Sequence, residues 1–266
     1  MNPPGVVLVT GASSGIGEAV ARRFAHQPGA ELVLVARRGE RLEKLAAELP
    51  CPATWLALDL TDDDAPVRVR VHLEENHDGR LDCLVNNAGA AWRATFEEGG
   101  WENVRQTMEL DFDAQVRLTA ELLPLLRRSA PSSVVMVSST ASRISRPGAG
   151  AYSAAKFALT GWTDALFQEE APYGVHVGLV MPGFVETEGF PASEITGNPL
   201  TRWLVARPEA AAEAIWEAGP GGRAERYVPR YYGLVGVIRV LAPGLARRVL
   251  GGSIGKKSVT RTSADG

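Results

Sequence analysis

A tyrosine and a lysine four residues apart are the first candidates for chemistry in this chain. They end the segment Tyr152-Ser153-Ala154-Ala155-Lys156, and residues at this spacing lie on one face of a helix. Tyrosine, with a pKa near 10, is a poor base at neutral pH, and lowering that pKa by about three units takes roughly 4 kcal/mol of preferential phenolate stabilisation. The ammonium group of Lys156 supplies positive charge about one helical turn from the phenol. Such pairs also occur as surface ion pairs or packing pairs, so their place in the fold matters.

A serine hydroxyl precedes this pair by thirteen residues. Ser139 follows the apolar run Val134–Val137, and a loop containing glycine and proline separates it from Tyr152. A hydroxyl at that point could hydrogen-bond a substrate carbonyl and stabilise the alkoxide that forms when hydride adds to it. Ser139, Tyr152 and Lys156 therefore form one candidate catalytic set.

Short apolar runs alternate with helix-length segments through most of the sequence, which predicts a parallel sheet covered by helices on both faces, the doubly wound Rossmann-type α/β architecture. In such sheets ligands bind beyond the carboxyl ends of the strands. The predicted strands are Val6–Val9, Leu32–Val35, Thr54–Leu58, Cys83–Val85, Val134–Val137 and Val175–Val180. The predicted helices are Gly17–His26, Glu40–Leu49, Trp101–Arg128 and Tyr152–Glu170.

A glycine-rich turn directly follows the first strand and precedes a helix. It reads Thr10-Gly11-Ala12-Ser13-Ser14-Gly15-Ile16-Gly17. Glycines let the backbone turn tightly and approach a pyrophosphate, which then meets free amides and the positive end of the helix dipole. Because a strand precedes this turn and a helix follows it, we favour nucleotide binding over a merely structural turn.

The residues at the end of the second strand indicate which nucleotide binds. An acidic side chain about 20 residues past the glycines would bind the ribose 2′-hydroxyl of NAD, but this chain has Ala36-Arg37-Arg38 there. Arginine holds a 2′-phosphate through charge-assisted hydrogen bonds. The sequence thus predicts NADP and assigns Arg37 to the phosphate. The alternative, an arginine at a solvated helix start, applies more easily to Arg38.

These motifs, in this order, resemble the short-chain dehydrogenase/reductase family over roughly residues 5 to 190. The resemblance implies that Tyr152 is the general acid/base, that Lys156 lowers its pKa and holds the nicotinamide ribose, and that Ser139 orients the substrate oxygen. It also implies a homodimer or homotetramer built through the long helices. The implied cofactor contacts are Gly11 and Ser13–Gly17 at the pyrophosphate, Asp59 at the adenine, Asn87, Ala88 and Gly89 near the adenosine ribose, and Pro182, Gly183 and Thr187 at the nicotinamide carboxamide.

One position departs from the family pattern. Where the family usually has Asn-x-x-Gly in the helix after Asn-Asn-Ala-Gly, this chain reads Asp111-Phe112-Asp113-Ala114. The family's asparagine helps to hold a water that relays protons from the lysine, largely through its backbone carbonyl. Asp111 keeps that carbonyl and adds a carboxylate that could pair with Lys156 or raise the pKa of Tyr152. We include it in the catalytic set, with a purely local salt bridge as the alternative.

Composition and charge exclude several classes of protein. The 266 residues carry 28 basic and 31 acidic side chains, for a net charge of −3, and 45% of them are hydrophobic. This balance is typical of a globular protein and gives no chain-wide basic field for nucleic acid. Two cysteines and an N-terminus without a secretory pattern favour a cytoplasmic location. The four histidines form no ligand cluster, so we expect no metal.

The charge is unevenly distributed. From Arg230 to Gly266 there are seven basic residues and one acid, giving +6 in this segment and −9 in the rest. We therefore predict one catalytic domain over residues 1–229 and a basic, partly apolar extension over 230–266, with a disordered end after Lys256. Leu234, Val237, Ile238, Leu241, Leu245 and Val249 approximate one helical face, which Pro243-Gly244 interrupts. That face could cover the core, a partner subunit or an anionic membrane surface.

Taken together, the sequence predicts an NADP(H)-dependent oxidoreductase that moves a hydride between the nicotinamide and a ketone or secondary alcohol. Apolar residues in the expected substrate lid, Phe190, Ile195, Leu200, Trp203 and Leu204, favour a small-molecule substrate with a hydrophobic body. Trp92 and Arg93 could line the same pocket or simply pack. The alternative is a sensor or scaffold that binds NADP in the same fold but has lost turnover.

Overall fold

A seven-stranded parallel sheet forms the centre of the computed structural model, which describes residues 5–188 and 202–251. The strand order is β3-β2-β1-β4-β5-β6-β9, so the order reverses between β1 and β4. A separate pair of short parallel strands, β7 and β8, follows β6. The strands are β1 (Val6–Thr10), β2 (Glu31–Ala36), β3 (Ala53–Ala57), β4 (Cys83–Asn86), β5 (Ser132–Val137), β6 (Val175–Pro182), β7 (Phe184–Val185), β8 (Val205–Ala206) and β9 (Glu225–Val228).

Helices cover both faces of this sheet and produce two hydrophobic cores. Successive strand residues point to opposite faces, so Val7 and Val9 of β1 join one core while Val6 and Leu8 join the other. The described helices are α1 (Gly15–Ala25), α2 (Gly39–Glu48), α3 (Ala65–His77), α4 (Phe96–Met108), α5 (Ala114–Arg128), α6 (Gly150–Glu170), α7 (Pro208–Ala218), α8 (Gly233–Leu241) and α9 (Pro243–Gly251). The predicted doubly wound α/β fold is confirmed.

The structure adds five elements to the predicted set and divides one predicted helix. Helices α3 and α7 and strands β7, β8 and β9 were not expected from the sequence, although all six predicted strands are present. The single helix predicted over Trp101–Arg128 is interrupted by one turn of π-helix, Glu109–Asp113. That turn separates α4 from α5 and carries Asp111, so the break lies at a predicted site residue.

The C-terminal part begins after β9 with two short helices. The predicted interruption is present, since α8 ends at Leu241 and α9 begins at Pro243. Within the described ranges, no helix combines the length and the apolar character needed to cross a bilayer. The predicted disordered end, Lys256–Gly266, and the lid residues Phe190, Ile195 and Leu200 lie outside the described residues.

Candidate active site

A cavity of about 700 Å³ opens at the carboxyl ends of the central strands. The loops that follow β1, β4, β5 and β6 form its walls, as expected for a ligand site at the point where strand order reverses. Most of the predicted site residues line it: Gly11, Ser14, Gly15, Ile16, Asn87, Ala88, Gly89, Asp111, Ser139, Tyr152, Lys156, Pro182, Gly183 and Thr187. The other four, Ser13, Gly17, Arg37 and Asp59, do not line the cavity.

The turn after β1 depends on glycine for its shape. Gly11 and Gly15 adopt positive φ angles of 67° and 57°, which side-chain-bearing residues rarely adopt. At Gly17 a Cβ would lie 2.2 Å from the Gly11 carbonyl oxygen and 2.8 Å from the Asn87 side-chain nitrogen. Glycine at Gly17 therefore allows α1 to begin directly under the turn, which leaves the helix N-terminus facing the cavity. These residues fit a pyrophosphate.

Hydrogen bonds from Thr10 join this turn to the one after β4. The Thr10 hydroxyl donates to the Val85 carbonyl (3.1 Å) and accepts from the backbone amides of Asn87 (2.9 Å) and Ala88 (3.0 Å). In return, the Asn87 side-chain amide donates to the Thr10 carbonyl (2.9 Å). The floor of the cavity is thus held by β1 and β4 together, and Thr10, which the sequence analysis did not single out, holds it.

The two arginines after β2 have different surroundings. Arg38 reaches the glycine turn, since its guanidinium donates to the hydroxyls of Ser13 (3.0 Å) and Ser14 (2.6 Å). Arg37 is more exposed, and its guanidinium lies 3.7 Å from the carboxylate of Asp59. The sequence analysis expected Arg38 to be the solvated one, but Arg38 is the arginine that contacts the turn. Both directly follow the end of β2 at Ala36.

Glu188 is the acidic partner of this basic group. Its carboxylate accepts from Arg41 (2.6 Å) and from Arg38 (3.4 Å). The hydrogen bond from Arg41, together with the contact to Arg38, lowers the pKa of Glu188 to about 2. A carboxylate that stays ionised beside these arginines keeps them in place on the rim of the site.

Ser139, Tyr152 and Lys156 meet on one wall of the cavity. The ammonium group of Lys156 is buried; it donates to the Val137 carbonyl (3.2 Å) and lies 5.7 Å from the centre of the Tyr152 ring. The Ser139 hydroxyl interacts with the Tyr152 side chain, donates to the Pro182 carbonyl (3.3 Å) and accepts from the Ala141 amide (3.1 Å). The end of β5 and the first turn of α6 thereby bring together groups thirteen residues apart.

Asp111 contacts the same lysine. One carboxylate oxygen lies 3.1 Å from the Lys156 ammonium nitrogen, with the two side chains only 0% and 3% exposed. The other oxygen accepts from the Ala90 amide at 3.4 Å. A Cβ at Gly89 would lie 2.4 Å from the carboxylate, so the glycine of Asn-Asn-Ala-Gly also makes room for this ion pair. The sequence expectation that Asp111 could pair with Lys156 is confirmed.

Burial and charge set the protonation states of these groups. Burial raises the pKa of Tyr152, and the Asp111 carboxylate raises it further, against the opposing effects of Lys156 and the Ser139 hydrogen bond. For Lys156, burial lowers the pKa, but the nearby Asp111 and Tyr152 outweigh it and leave the pKa raised. Burial likewise raises the pKa of Asp111, and Lys156 offsets only part of this effect. At neutral pH the phenol keeps its proton and is an acid.

The far wall of the cavity contains residues that the sequence analysis missed. The Tyr232 ring lines the cavity 6.5 Å from the Phe184 ring, and its hydroxyl donates to the Leu204 carbonyl at 2.9 Å. Arg146 lies over the Phe184 ring at 5.1 Å. Trp92 and Arg93 line the cavity as well, in line with one of the two roles expected for them. Apolar residues thus contribute much of the wall beyond the catalytic group.

No local signal marks Tyr232 in the sequence, because it lies 80 residues beyond Tyr152 in the segment assigned to the extension. It reaches the cavity only because β9 pairs with β6 and a short turn follows. A Cβ at Gly183 would lie 2.4 Å from the Tyr232 ring. The glycine that follows β6 is therefore needed for packing against Tyr232, which the sequence did not reveal.

Comparisons with known proteins agree with this geometry. The family model described as short chain dehydrogenase matches residues 5–195. Dehydrogenase/reductase SDR family member 7B of Xenopus laevis is 32% identical over 98% of this chain and 84% of its own length, and 3-dehydrosphinganine reductase of Danio rerio is 32% identical over 79% and 66%. The crystal structure of a short-chain dehydrogenase from Streptomyces avermitilis superposes with a TM-score of 0.77 at 33% identity, covering 91% of this chain and 94% of that one. The chain belongs to the short-chain dehydrogenase/reductase family, whose members are oxidoreductases that use a nicotinamide cofactor.

Proposed function

We propose that this protein is an NADP(H)-dependent oxidoreductase that acts on a ketone or secondary alcohol carried by an apolar small molecule. The observation that carries the proposal is the meeting of Ser139, Tyr152 and a buried Lys156 in a cavity that also contains the glycine turn. A bound nicotinamide supplies or accepts the hydride. The chain's own groups handle the proton and the substrate oxygen.

Tyr152 is the proton donor in the reduction direction. Its raised pKa keeps the phenol protonated at neutral pH, so it can transfer its proton to the oxygen of a carbonyl as negative charge develops there. The Ser139 hydroxyl turns from the Pro182 carbonyl when substrate binds, donates its hydrogen bond to the same oxygen and fixes its position. Lys156, charged and held by Val137 and Asp111, stabilises the phenolate that remains.

Asp111 positions Lys156 and adjusts the proton affinity of Tyr152. Its carboxylate holds the ammonium group on the side away from solvent, and its negative charge favours the protonated phenol. The second effect favours the form of Tyr152 that carbonyl reduction needs at neutral pH. In the family pattern, the backbone carbonyl of this residue also supports a proton relay, and we retain that role for Asp111.

The proposal of NADP rather than NAD rests on the two arginines after β2. Gly11 and Ser13–Gly17 hold the pyrophosphate, and Arg37 and Arg38 bind a 2′-phosphate at the end of β2. Arg38 is added to the sequence prediction because it contacts Ser13 and Ser14. The remaining assignments stand as predicted from the resemblance: Asp59 at the adenine, Asn87, Ala88 and Gly89 near the adenosine ribose, and Pro182, Gly183 and Thr187 at the carboxamide.

The apolar character of the substrate is supported by the wall that Trp92, Phe184 and Tyr232 form. The relative from Danio rerio is named for reducing 3-dehydrosphinganine, which agrees with a substrate of this kind without identifying it. We further propose a cytoplasmic location, a homodimer or homotetramer, and one catalytic domain through residue 229 followed by the extension.

The direct test is oxidation of NADPH, followed at its absorbance maximum, with a panel of ketones that differ in the length of their apolar chain. We expect turnover that improves with chain length, and weaker activity with NADH. Binding of NADPH without oxidation across the panel, unchanged by Asp111→Asn, would instead indicate a sensor or scaffold.

A further inference from the structure

The two glycines of helix α8 face the rest of the protein. A Cβ at Gly233 would lie 3.3 Å from the Tyr227 ring, and one at Gly236 would lie 3.5 Å from the side chain of Arg143. A Cβ at Gly236 would make an ordinary contact with Arg143, and one at Gly233 a slightly close contact with Tyr227, so this face of α8 lies against the rest of the protein.

The opposite face of α8 presents a continuous apolar surface. Leu234, Val237, Ile238 and Leu241 are 64%, 52%, 48% and 80% exposed, and their i, i+3, i+4, i+7 spacing places them on one stripe of the helix. Val240, 77% exposed, lies beside the stripe. Five large aliphatic side chains on nine residues of helix exceed the isolated apolar residues that soluble surfaces normally carry.

The helices that carry this stripe contain arginines and no acid. The sequence contains no Asp or Glu from residue 226 to residue 264. Arg239 lies on the other side of α8, and Arg247 and Arg248 are exposed on α9. A helix with an apolar face, a basic polar face and no acids has the pattern of a helix that lies in the interface of an anionic membrane.

Aromatic residues lie at the start of this surface. Trp203, 57% exposed, and Tyr231, 39% exposed, have ring centres 5.2 Å apart. Such amphipathic rings favour the headgroup region of a bilayer. Tyr232, the residue immediately before α8, lines the active-site cavity, so the apolar stripe begins beside the cavity wall.

We propose that α8, with the arginines of α8 and α9, docks the protein on the surface of an anionic lipid bilayer. The α8 stripe enters the acyl boundary while Arg239, Arg247 and Arg248 contact the phosphate headgroups. A second copy of the chain fits this face less well, because a two-fold contact would bring identical arginines together without an acid to pair with them. If the proposed function holds, the cavity entrance then lies near the phase in which an apolar carbonyl substrate dissolves.

The test is co-sedimentation of the full chain with vesicles of phosphatidylcholine alone and of equimolar phosphatidylcholine and phosphatidylglycerol. We expect binding to the anionic vesicles only, weakened by salt. Val237→Asp/Leu241→Asp should abolish it, because the stripe would carry two charges into the acyl region. Arg247→Gln/Arg248→Gln should lower the partition coefficient about thirtyfold, since each basic residue contributes about fivefold near an anionic surface.

A matched control carries the same charge change elsewhere. Val67 and Val71 are exposed on α3, 44% and 36%, so Val67→Asp/Val71→Asp should keep vesicle binding unchanged. All variants should keep their thermal stability and their oxidation of NADPH with a water-soluble ketone, a readout that reports on the proposed function separately. Failure of the full chain to bind anionic vesicles, or binding that survives Val237→Asp/Leu241→Asp, would overturn the proposal. Conversion of an oligomer into monomers by Val237→Asp/Leu241→Asp would also overturn it, because a second copy of the chain would then cover the stripe.

Discussion

The carboxylate of Asp111 opposes the effect of Lys156 on the pKa of Tyr152. A free Lys156 ammonium would lower the pKa of Tyr152, but Asp111 pairs with it at 3.1 Å and opposes that effect with its own charge. Both charges are buried, where water screens them little. A single side chain that differs from the usual family residue thus favours the protonated phenol.

Asp111→Asn should shift the pH dependence of both reaction directions to lower pH. Without the carboxylate, the charge of Lys156 is unpaired and lowers the pKa of Tyr152. Reduction needs the protonated phenol and is lost as pH rises through this pKa, while oxidation needs the phenolate and is gained. Profiles of kcat/KM against pH, measured in both directions, check the shift. Profiles that coincide with those of the wild type would limit Asp111 to a local salt bridge.

Arg37→Asp should change which cofactor the protein prefers. The substitution replaces a group that attracts the 2′-phosphate with one that repels it, so the Kd for NADPH should rise about tenfold or more while that for NADH should not. Fluorescence titration with both cofactors measures this. Arg68→Asp makes the same charge change on α3 and should leave the ratio unaltered. An unaltered ratio in Arg37→Asp as well would move the phosphate site away from Arg37.

Among the elements, the junction of β1 and α1 leaves no room for a side chain at Gly17. A Cβ at Gly17 would lie 2.2 Å from the carbonyl oxygen of Gly11, so only the Cα hydrogen of glycine fits there. Neither the carbonyl of Gly11 nor the hydrogen-bonded side chain of Asn87 can move away without disturbing β1 or the turn after β4. The helix N-terminus and the cavity floor are therefore fixed by one packing contact.

Gly17→Ala should lower the free energy of unfolding by about 2 kcal/mol, the typical cost of forcing a methyl group into a packed site. It should also weaken NADPH binding, because α1 would move from the turn. Chemical denaturation and cofactor titration measure the two effects. A methyl group at Gly244, near the start of α9, would meet nothing within 4 Å, so Gly244→Ala is the matched control. Equal stability of the two variants would contradict the packing argument.

The strands of the catalytic domain were predictable because they are buried on both faces and read as continuous apolar runs. Helix α3 was not, since Val67-Arg68-Val69-Arg70-Val71 alternates with the period of a strand while Pro66 and the buried Val69 and Leu73 place it as a helix. The π-helical turn at Glu109–Asp113 packs against α6 and has no sequence signal of its own.

The candidate active site likewise contains residues that the sequence located and one that it could not locate. Ser139, Tyr152, Lys156 and the glycine turn lie at strand ends and helix starts, where local patterns locate them. The Asp111–Lys156 contact was anticipated because a change of residue type drew attention to it. Tyr232 could not be placed, because its position depends on strand pairing between β6 and β9.

At the scale of the whole molecule, aromatic side chains are exposed on two helices that pack together, α4 and α6. Trp101 on α4 is 69% exposed and Phe157 on α6 is 47% exposed. These large rings are candidates for the contact surface of the proposed homodimer or homotetramer. They are distinct from the α8 stripe, so the two surfaces can be tested separately.

Trp101→Glu/Phe157→Glu should therefore convert the oligomer to a smaller species, because it introduces two like charges into each half of the contact. Light scattering after size exclusion measures the mass. Val67→Glu, on the exposed side of α3, should leave the mass unaltered. An oligomer of the same mass in the double variant would place the interface elsewhere.

The distribution of charge also becomes interpretable at this scale. The net charge of −3 combines −9 over residues 1–229 with +6 over residues 230–266, and the second segment carries the exposed apolar face. Arg37 and Arg38 form a local basic exception within the first segment. One basic region thus lies at the proposed phosphate site of the cofactor and the other at the proposed membrane contact.

The central claim, that Tyr152 transfers the proton during NADPH-dependent carbonyl reduction, is tested most directly by Tyr152→Phe. The change removes one hydroxyl and keeps the ring, so turnover should fall about a thousandfold, within the range typical of a lost general acid, while the Kd for NADPH changes little. Tyr173, 53% exposed and stacked on Arg127, provides the control Tyr173→Phe, which should retain full activity. The measurement is steady-state NADPH oxidation with the best ketone of the panel, alongside cofactor titration. Retention of wild-type turnover by Tyr152→Phe would contradict the account.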